Sequence, residues 1–495
     1  MNLKIMIAFP PLAGKGCPML GQNRQFQWFS NACYIYPMVP ASAATLLKAN
    51  GYDVLWEDSI AEEKTEKDFL DKVKSEKPNL IAIETKTPVV QLHWKIIEKL
   101  KSISEGNWPL AIVLFGDHVT ALPEESFQNS KVDYVITGGD YDFLLLNLCK
   151  NLTLDGNKIK LSPSGLETGI WYRDNGAVKS TGKFELNHDL NSLPFVDRQL
   201  TKWLLYSEKN GNYKKTPGTY TMVGRDCWYH KCTFCSWTTT YSKFRVRKPE
   251  SLLDEIGSLI ELGVKEIMDD TGSFPTGQWL DVFCKGMIER GYNKFIKIDC
   301  NMRFGALSIE EYKLMKKAGF RLMLFGLESA NQKTLDIIKK GVTVETIVES
   351  CKNAGKAGLY PHLTIMFGYP WETYEDVKAT VNLGRFLLKK GYAYTLQSTM
   401  VVPYPGTPLF ADCKEKGLLN TLDWERYDMR EAIMKTTVTE VELKEAVKMV
   451  YKVAFDPEFV LRKILSIRDF YDLKFFAKAA KSVLGHLTDF GRSKK

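Results

Sequence analysis

The chain has 495 residues, 44% of them hydrophobic and 25% charged, with a formal net charge of +8. At roughly 100–200 residues per domain, that length predicts several domains rather than one simple core. No apolar run reaches the ~18 residues that span a bilayer, and the short opening MNLKIMIAFPPLAG, cut by prolines, reads as a first strand and not as a signal peptide. The expected compartment is the cytoplasm, where cysteines stay reduced and clustered thiols hold metal rather than pair.

Residues 1–150 alternate short apolar strands with helices. KIMIAFP, YDVLWED, NLIAIET, LAIVLFGD and VDYVITGGD read as strands. VPASAATLLKANG, with Gly51 as its stop, and LHWKIIEKLKSI read as helices between them. The pattern predicts an α/β fold with a doubly wound, Rossmann-like parallel sheet, which binds ligands at the carboxyl ends of its strands. Those ends carry Pro10, Pro11, Thr85, Gly116, His118, Gly138, Gly139 and Asp140. No GxGxxG follows the first strand, which argues against a nicotinamide or flavin dinucleotide. Residues 151–215 read as a linker with a small hairpin that turns at Asn175–Gly176.

Over residues 216–412 the alternation resumes, with six strand–helix units starting at TYTMVGRD. Such spacing predicts a partial (β/α)6, TIM-like barrel, in which the polar residues after each strand gather at one mouth. Asp269, Asp270, Asn301, Arg303, Glu328, Ser329, Gly368 and Pro370 fall there. Cys300 reads as a core residue, since a lone cysteine usually packs. Residues 413–495 read as a helical C-terminal region. From Phe455 onward it holds nine Lys and Arg against five Asp and Glu, a charge of +4 out of +8. Basic and apolar residues alternate there at helical spacing. That suits either a helix packed on the body of the protein or one lying on an anionic membrane surface. Apart from that tail there is no dense basic strip with interleaved aromatics of the kind that binds nucleic acid.

The segment GRDCWYHKCTFCSW places Cys227, Cys232 and Cys235 at Cys-x4-Cys-x2-Cys spacing. Three thiols hold either an iron–sulfur cluster with one iron left open or, with His230 as a fourth ligand, a zinc ion. The loop resembles the cluster loop of radical S-adenosylmethionine (SAM) enzymes, with one extra residue in the first gap and Phe234 as the aromatic residue before the last cysteine. GLESANQKTLDIIKKG, IMFGYPWET and PYPGTPLF resemble later strand segments of that superfamily, so the resemblance spans about residues 218–410. YPMVPASAATLLKANGYDVLWED and FGDHVTALPEESFQNSKVDYVITGGD resemble the cobalamin-binding domain fused ahead of many such barrels. The Asp-x-His-x-x-Gly motif that gives cobalt a histidine elsewhere is absent. The whole chain resembles the cobalamin-dependent class that includes the anaerobic chlorophyll ring cyclase and hopanoid-modifying proteins.

That resemblance implies a [4Fe–4S] cluster on the three cysteines, with SAM held by Phe234, Asp270, Arg303, Glu328, Ser329, Gly368 and Pro370. It implies cobalamin near Pro11, Thr85, Gly116, His118, Gly138 and Gly139. The implied enzyme is oxygen-sensitive and draws electrons from a flavodoxin or ferredoxin. Its expected reaction is methylation of an unactivated carbon of a small molecule or lipid, through a 5′-deoxyadenosyl radical and methylcobalamin. The basic tail tilts the substrate towards a lipid or isoprenoid reached at the inner face of the membrane. Two alternatives stand beside it: a radical cyclisation, ring contraction or carbon–carbon coupling of a lipid or tetrapyrrole-like substrate without methylation, and a non-catalytic zinc- or corrinoid-binding sensor.

Overall fold

The computed structural model describes residues 3–12, 14, 16–19, 27–29 and 31–489, the last two by backbone alone. Five parallel strands form the first sheet: β1 (Lys4–Phe9), β2 (Asp53–Asp58), β3 (Leu80–Glu84), β4 (Ala111–Phe115) and β5 (Tyr134–Ile136). Their spatial order is β2-β1-β3-β4-β5. In such a sheet the strand order reverses between β1 and β3, and ligands bind outside the carboxyl ends there. β3 and β4 are buried along their whole length, which is why they read as continuous apolar runs. The expected linker holds more structure than a single hairpin. Leu152–Asp155 pairs with Lys158–Leu161, and β6 (Ile170–Asp174) with β7 (Ala177–Ser180). β6 also pairs antiparallel with β5, so the second hairpin extends the first sheet to seven strands. Its turn is the expected Asn175–Gly176, both at positive φ.

The second sheet has six parallel strands in sequential order: β8 (Gly218–Thr221), β9 (Glu266–Asp269), β10 (Lys297–Met302), β11 (Phe320–Glu328), β12 (Tyr360–Phe367) and β13 (Thr395–Met400). This is the expected open barrel, with β8 and β13 as its edges. Three of the helices around it and after it start with reciprocal capping boxes, at Ser308–Glu311, Thr373–Asp376 and Thr439–Glu442. Each satisfies two amide donors that a bare helix end would leave open. Near the foot of the barrel Arg321 bonds Glu266 and Asp299 at 2.7 Å each.

The two sheets share one continuous core and a buried polar lock. Arg225 reaches Asp142 with both guanidinium nitrogens, at 2.9 and 2.5 Å, and Asp140 at 3.0 Å. Arg245 reaches Asp140 at 2.7 and 2.6 Å, and His188 reaches it at 2.9 Å. Beyond the helix Glu440–Tyr451, the C-terminal region forms two further helices, Pro457–Leu465 and Phe470–Asp489, in place of one continuous tail. The latter bridges the two edges of the barrel. Phe475 stacks on Tyr394 at the foot of β13, with ring centroids 5.7 Å apart. Lys478 donates to the Asn210 carbonyl at 2.5 Å, and Asn210 in turn bonds Tyr220 of β8.

Candidate functional site

A cavity of about 710 Å³ runs through the open barrel. Alternate residues of β11 (Leu322, Leu324, Gly326) and of β12 (His362, Thr364, Met366) line it, as the two-residue period of a strand requires. Cys227, Cys232 and Cys235 all line its mouth, with Phe234, Asp270, Asn301, Arg303 and Glu328. The loop after β1 (Met19, Phe29) and the last helix supply further wall.

The cysteine loop enters from β8 through strained backbone. Asp226 and His230 both sit at positive φ, a conformation costly for non-glycine residues. The loop Thr271–Ser273 presses against it. A Cβ on Gly272 would lie 2.8 Å from the Asp226 carbonyl oxygen and 3.1 Å from the Cys227 Cβ, so only glycine fits there. His230 turns its ring to the Asp226 carboxylate. Among the described residues no group of three or more His, Cys, Asp and Glu side chains is gathered tightly enough to hold a single ion. Three thiols on one cavity wall suit a cluster that keeps one iron open. Burial pushes the Cys232 thiol up, while Lys340 and Arg303 act the other way. Those cations suit an anionic cluster.

Above the thiols lies a compact polar group. Glu328 ends β11 at φ +62°, past a bulge in the β11–β12 ladder. Its Oε1 accepts from Lys340 Nζ at 2.7 Å. The Arg303 guanidinium sits 3.4 Å from the centre of the Tyr229 ring and donates to the Lys340 carbonyl at 2.6 Å. Lys340 lies over Phe234, 5.7 Å from its centre. The two neighbouring aspartates divide. Asp270 lines the cavity, whereas Asp269 accepts from Thr221 Oγ1 at 2.8 Å and from the Val223 amide at 3.0 Å, holding the chain beneath the cysteine loop.

Ser329, Gly368 and Pro370 lie behind this group rather than on the cavity wall. Ser329 donates to Glu372 Oε1 at 2.8 Å, and burial pushes the Glu372 carboxyl up to about 7. A Cβ on Gly368 would face Leu443 at 3.3 Å. Cys300 is fully buried in β10. Lys340 and Tyr229 are site residues that no sequence pattern singles out. Lys340 lies inside the GLESANQKTLDIIKKG segment, but a lysine after a short helix reads as a solvated end.

At the first sheet, Pro11 follows β1, and Thr85 and Gly116 meet across the ends of β3 and β4. Gly116 has φ +127°, and a Cβ there would come within 2.2 Å of the Thr85 carbonyl oxygen. Thr85 Oγ1 bonds His93 Nδ1 at 2.8 Å. Both His118 ring nitrogens are engaged, Nδ1 by Thr87 at 3.2 Å and Nε2 by Glu125 at 2.9 Å, so neither is free for cobalt. Gly138 is covered by Phe184, and Gly139 by the Tyr241 ring. Thr239 Oγ1 and Tyr241 Oη, where the barrel meets Ala121 and Gly139 beside the first sheet, and Gln27 Nε2 in the loop after β1 are buried without a hydrogen-bond partner among the described residues. Buried donors in that state fit a ligand with a polar, amide-bearing rim.

Residues 222–384 match the Radical SAM superfamily. An uncharacterised methyltransferase of Pyrococcus horikoshii is 26% identical over 441 residues, covering 88% of this chain and 90% of that one. The anaerobic magnesium-protoporphyrin IX monomethyl ester cyclase of Cereibacter sphaeroides is 24% identical over 439 residues, covering 85% of this chain and 66% of its own. Among solved structures, the cobalamin-dependent SAM radical enzyme OxsB, with aqua-cobalamin and SAM bound, is 14% identical with a TM-score of 0.68, covering 98% of this chain and 72% of that one. This last likeness is one of fold.

Proposed function

The chain is a radical SAM enzyme, and we propose that it uses cobalamin to methylate an unactivated carbon of an apolar, lipid- or isoprenoid-like substrate. The observation that carries this reading is the cavity. It begins at three thiols and a charged group and continues between Met268, Leu322, Leu324, Met366 and Phe475, a mostly apolar wall of the kind that binds hydrophobic ligands.

In this reading Cys227, Cys232 and Cys235 hold the [4Fe–4S] cluster. Glu328, Asp270 and Asn301 face the amino group and ribose of SAM, and Arg303 and Lys340 face its carboxylate. The carboxyl ends of β1, β3 and β4, with Gln27, Thr239 and Tyr241, hold the corrinoid. The domains are then a corrinoid module over residues 1–150, a connecting segment over 151–215, a radical SAM barrel over 216–412 and a helical region beyond. Bound together, these groups supply reductive cleavage of SAM, hydrogen removal from carbon and a methyl group for that carbon. The chain's own work is to fix their orientation and to keep water out. The fully buried Arg225–Asp142 lock supports a fixed spacing of the two modules. The relative named a methyltransferase and the OxsB likeness support methylation and the corrinoid in turn. A flavodoxin or ferredoxin supplies the electron, in the cytoplasm at the inner face of the membrane.

The test is growth of the native host, with and without the gene, on methyl-deuterated methionine, read by lipid mass spectrometry. A lipid that gains labelled methyl only when the gene is present is the expected result. A lipid altered by loss of hydrogen or by coupling, without label, selects the non-methylating reaction instead. Absence of SAM cleavage by the purified, reconstituted protein would leave only a sensor.

A further inference from the structure

The face beneath the barrel joins two features. The first is apolar. The helix Pro457–Leu465 buries no residue. Leu461, Ile464 and Leu465 stand out from it, and Ile467, Phe470 and Leu473 continue the patch, with Leu465 76% and Phe470 74% exposed. Isolated exposed leucines are ordinary, but a contiguous patch marks a binding surface. The second feature is charge. Burial, and then Lys297, Arg321, Lys214 and Arg468 around it, hold the Lys316 ammonium below the usual lysine range. Burial and Lys215 do the same to Lys297. Lys214 pairs with Asp472, and Arg321 with Glu266 and Asp299. Among the described residues no carboxylate pairs with Lys215, Lys297, Lys316 or Arg468. Glu266 offsets part of the repulsion on Lys297, but Lys214, Lys215, Lys297, Lys316, Arg321 and Arg468 outnumber Glu266, Asp299 and Asp472 on this face, an excess of positive charge that favours an anionic partner.

The two features are continuous. Arg468 lies in the turn between the last two helices, and Lys215 lies 5.5 Å from the centre of the Tyr471 ring. The cavity reaches the same place, since Val460, Lys463, Ile464 and Ile467 line it. Lys463 is fixed at that opening, donating to the Tyr394 carbonyl at 2.7 Å.

We propose that this face docks on an anionic lipid bilayer, with Leu461, Ile464, Leu465, Ile467, Phe470 and Leu473 entering the headgroup–acyl boundary and Lys215, Lys297, Lys316 and Arg468 meeting lipid phosphates. The lower end of the cavity then opens towards the acyl chains. No helix among the described residues is long and apolar enough to cross a membrane, so the contact is peripheral. Nucleic acid would use the cations and leave the aliphatic patch in water. The docking rests on the apolar-substrate reading of the same cavity.

The test is flotation of the full-length, cluster-reconstituted protein with phosphatidylcholine vesicles, with and without phosphatidylglycerol. Binding to the anionic vesicles alone, weakened by salt, is expected. At about fivefold per cation near a charged surface, K297E/K316E/R468E lowers the partition by two orders of magnitude, and L465D/F470D lowers it at least tenfold. Thermal melting and the cluster's visible absorbance check that both variants fold, and L465D alone replaces the double variant if it does not. Failure to float, equal binding to neutral vesicles or undiminished binding of both variants overturns the proposal. So does a loss of self-association in L465D/F470D with flotation unchanged, which makes the patch a protein interface. If a lipid gains label in cells while vesicles fail to bind, methylation stands and the docking falls. If vesicles bind while no lipid gains label, the docking stands and lipid methylation falls.

Discussion

Lys340 Nζ donates to Glu328 Oε1 at 2.7 Å, and Glu328 reaches it from left-handed backbone at φ +62°. Burial alone would pull the Lys340 ammonium down, but Glu328 and Cys232 outweigh it and hold its pKa above the usual lysine value. The Lys340 ammonium is therefore charged and pre-set beside the thiols before any ligand arrives.

Lys340→Met leaves the Glu328 carboxylate buried without its partner. Breaking such a pair costs about 3–5 kcal/mol, and SAM affinity falls at least tenfold in equilibrium dialysis. The double variant E328Q/K340M recovers melting temperature but not affinity. Recovery of both would make the pair purely structural. Gly326→Ala offers an independent check, because its Cβ would sit 2.0 Å from Glu328 Oε1 and 2.6 Å from Lys340 Nζ. It displaces both groups without changing charge, and SAM affinity falls with it.

Alanine at Cys227, Cys232 or Cys235 removes bound iron and sulfide and lowers SAM cleavage to background. Cys300→Ala gives the contrast. Its thiol is wholly buried between β9 and β11, so the cost is stability of about 1–2 kcal/mol. Iron content, measured per chain, stays at the wild-type level.

The lock between the modules carries a pH signature through His188. Burial pulls its pKa down, but the Asp140 and Glu167 carboxylates outweigh this and raise it. A raised folded pKa stabilises fully below the unfolded value of about 6.5, and that stabilisation is lost as pH rises through the folded pKa. The Asp140 carboxyl is held well below its usual range, because His188, Arg225 and Arg245 together outweigh the burial that would raise it. It therefore stays ionised throughout this window. Melting curves of wild type and His188→Gln should differ most below about pH 6.5 and converge in mild alkali. A pH-independent difference would refute the assignment.

Phe475→Ala removes the ring packed on Tyr394 and Leu322, at about 3–5 kcal/mol locally. Limited proteolysis should then cut in the turn at 466–469 well before the barrel unfolds, with its main melting transition unchanged. Cleavage at the wild-type rate would mean that the last helix is held by its lysines alone.

Much of the fold was legible because it is local. KIMIAFP, NLIAIET and LAIVLFGD announce buried parallel strands by composition, and the Asn175–Gly176 turn announces its hairpin by the φ signs it needs. The cysteine spacing was equally plain. What could not be read were encounters between distant segments. Nothing in IIKKG says that Lys340 turns back towards Glu328, because the bulge that re-aims Glu328 leaves no periodic signal. The Met19 and Phe29 loop, whose Phe29 ring meets His486 of the last helix, has no pattern of its own. The last helix has an amphipathic face suited equally to water, lipid or protein, and only its meeting with Tyr394 and Asn210 shows what it covers.

That helix makes one side of the reaction chamber separable from the rest. In the proposed reading the cofactors sit on strand ends, whereas Phe475, Phe476, Ala479 and Val483 line the cavity from a single helix. A lineage, or an engineer, could retune which molecules fit by re-lettering one helical stripe. The catalytic parts would carry over intact, much as interchangeable jaws leave the drive of a chuck untouched.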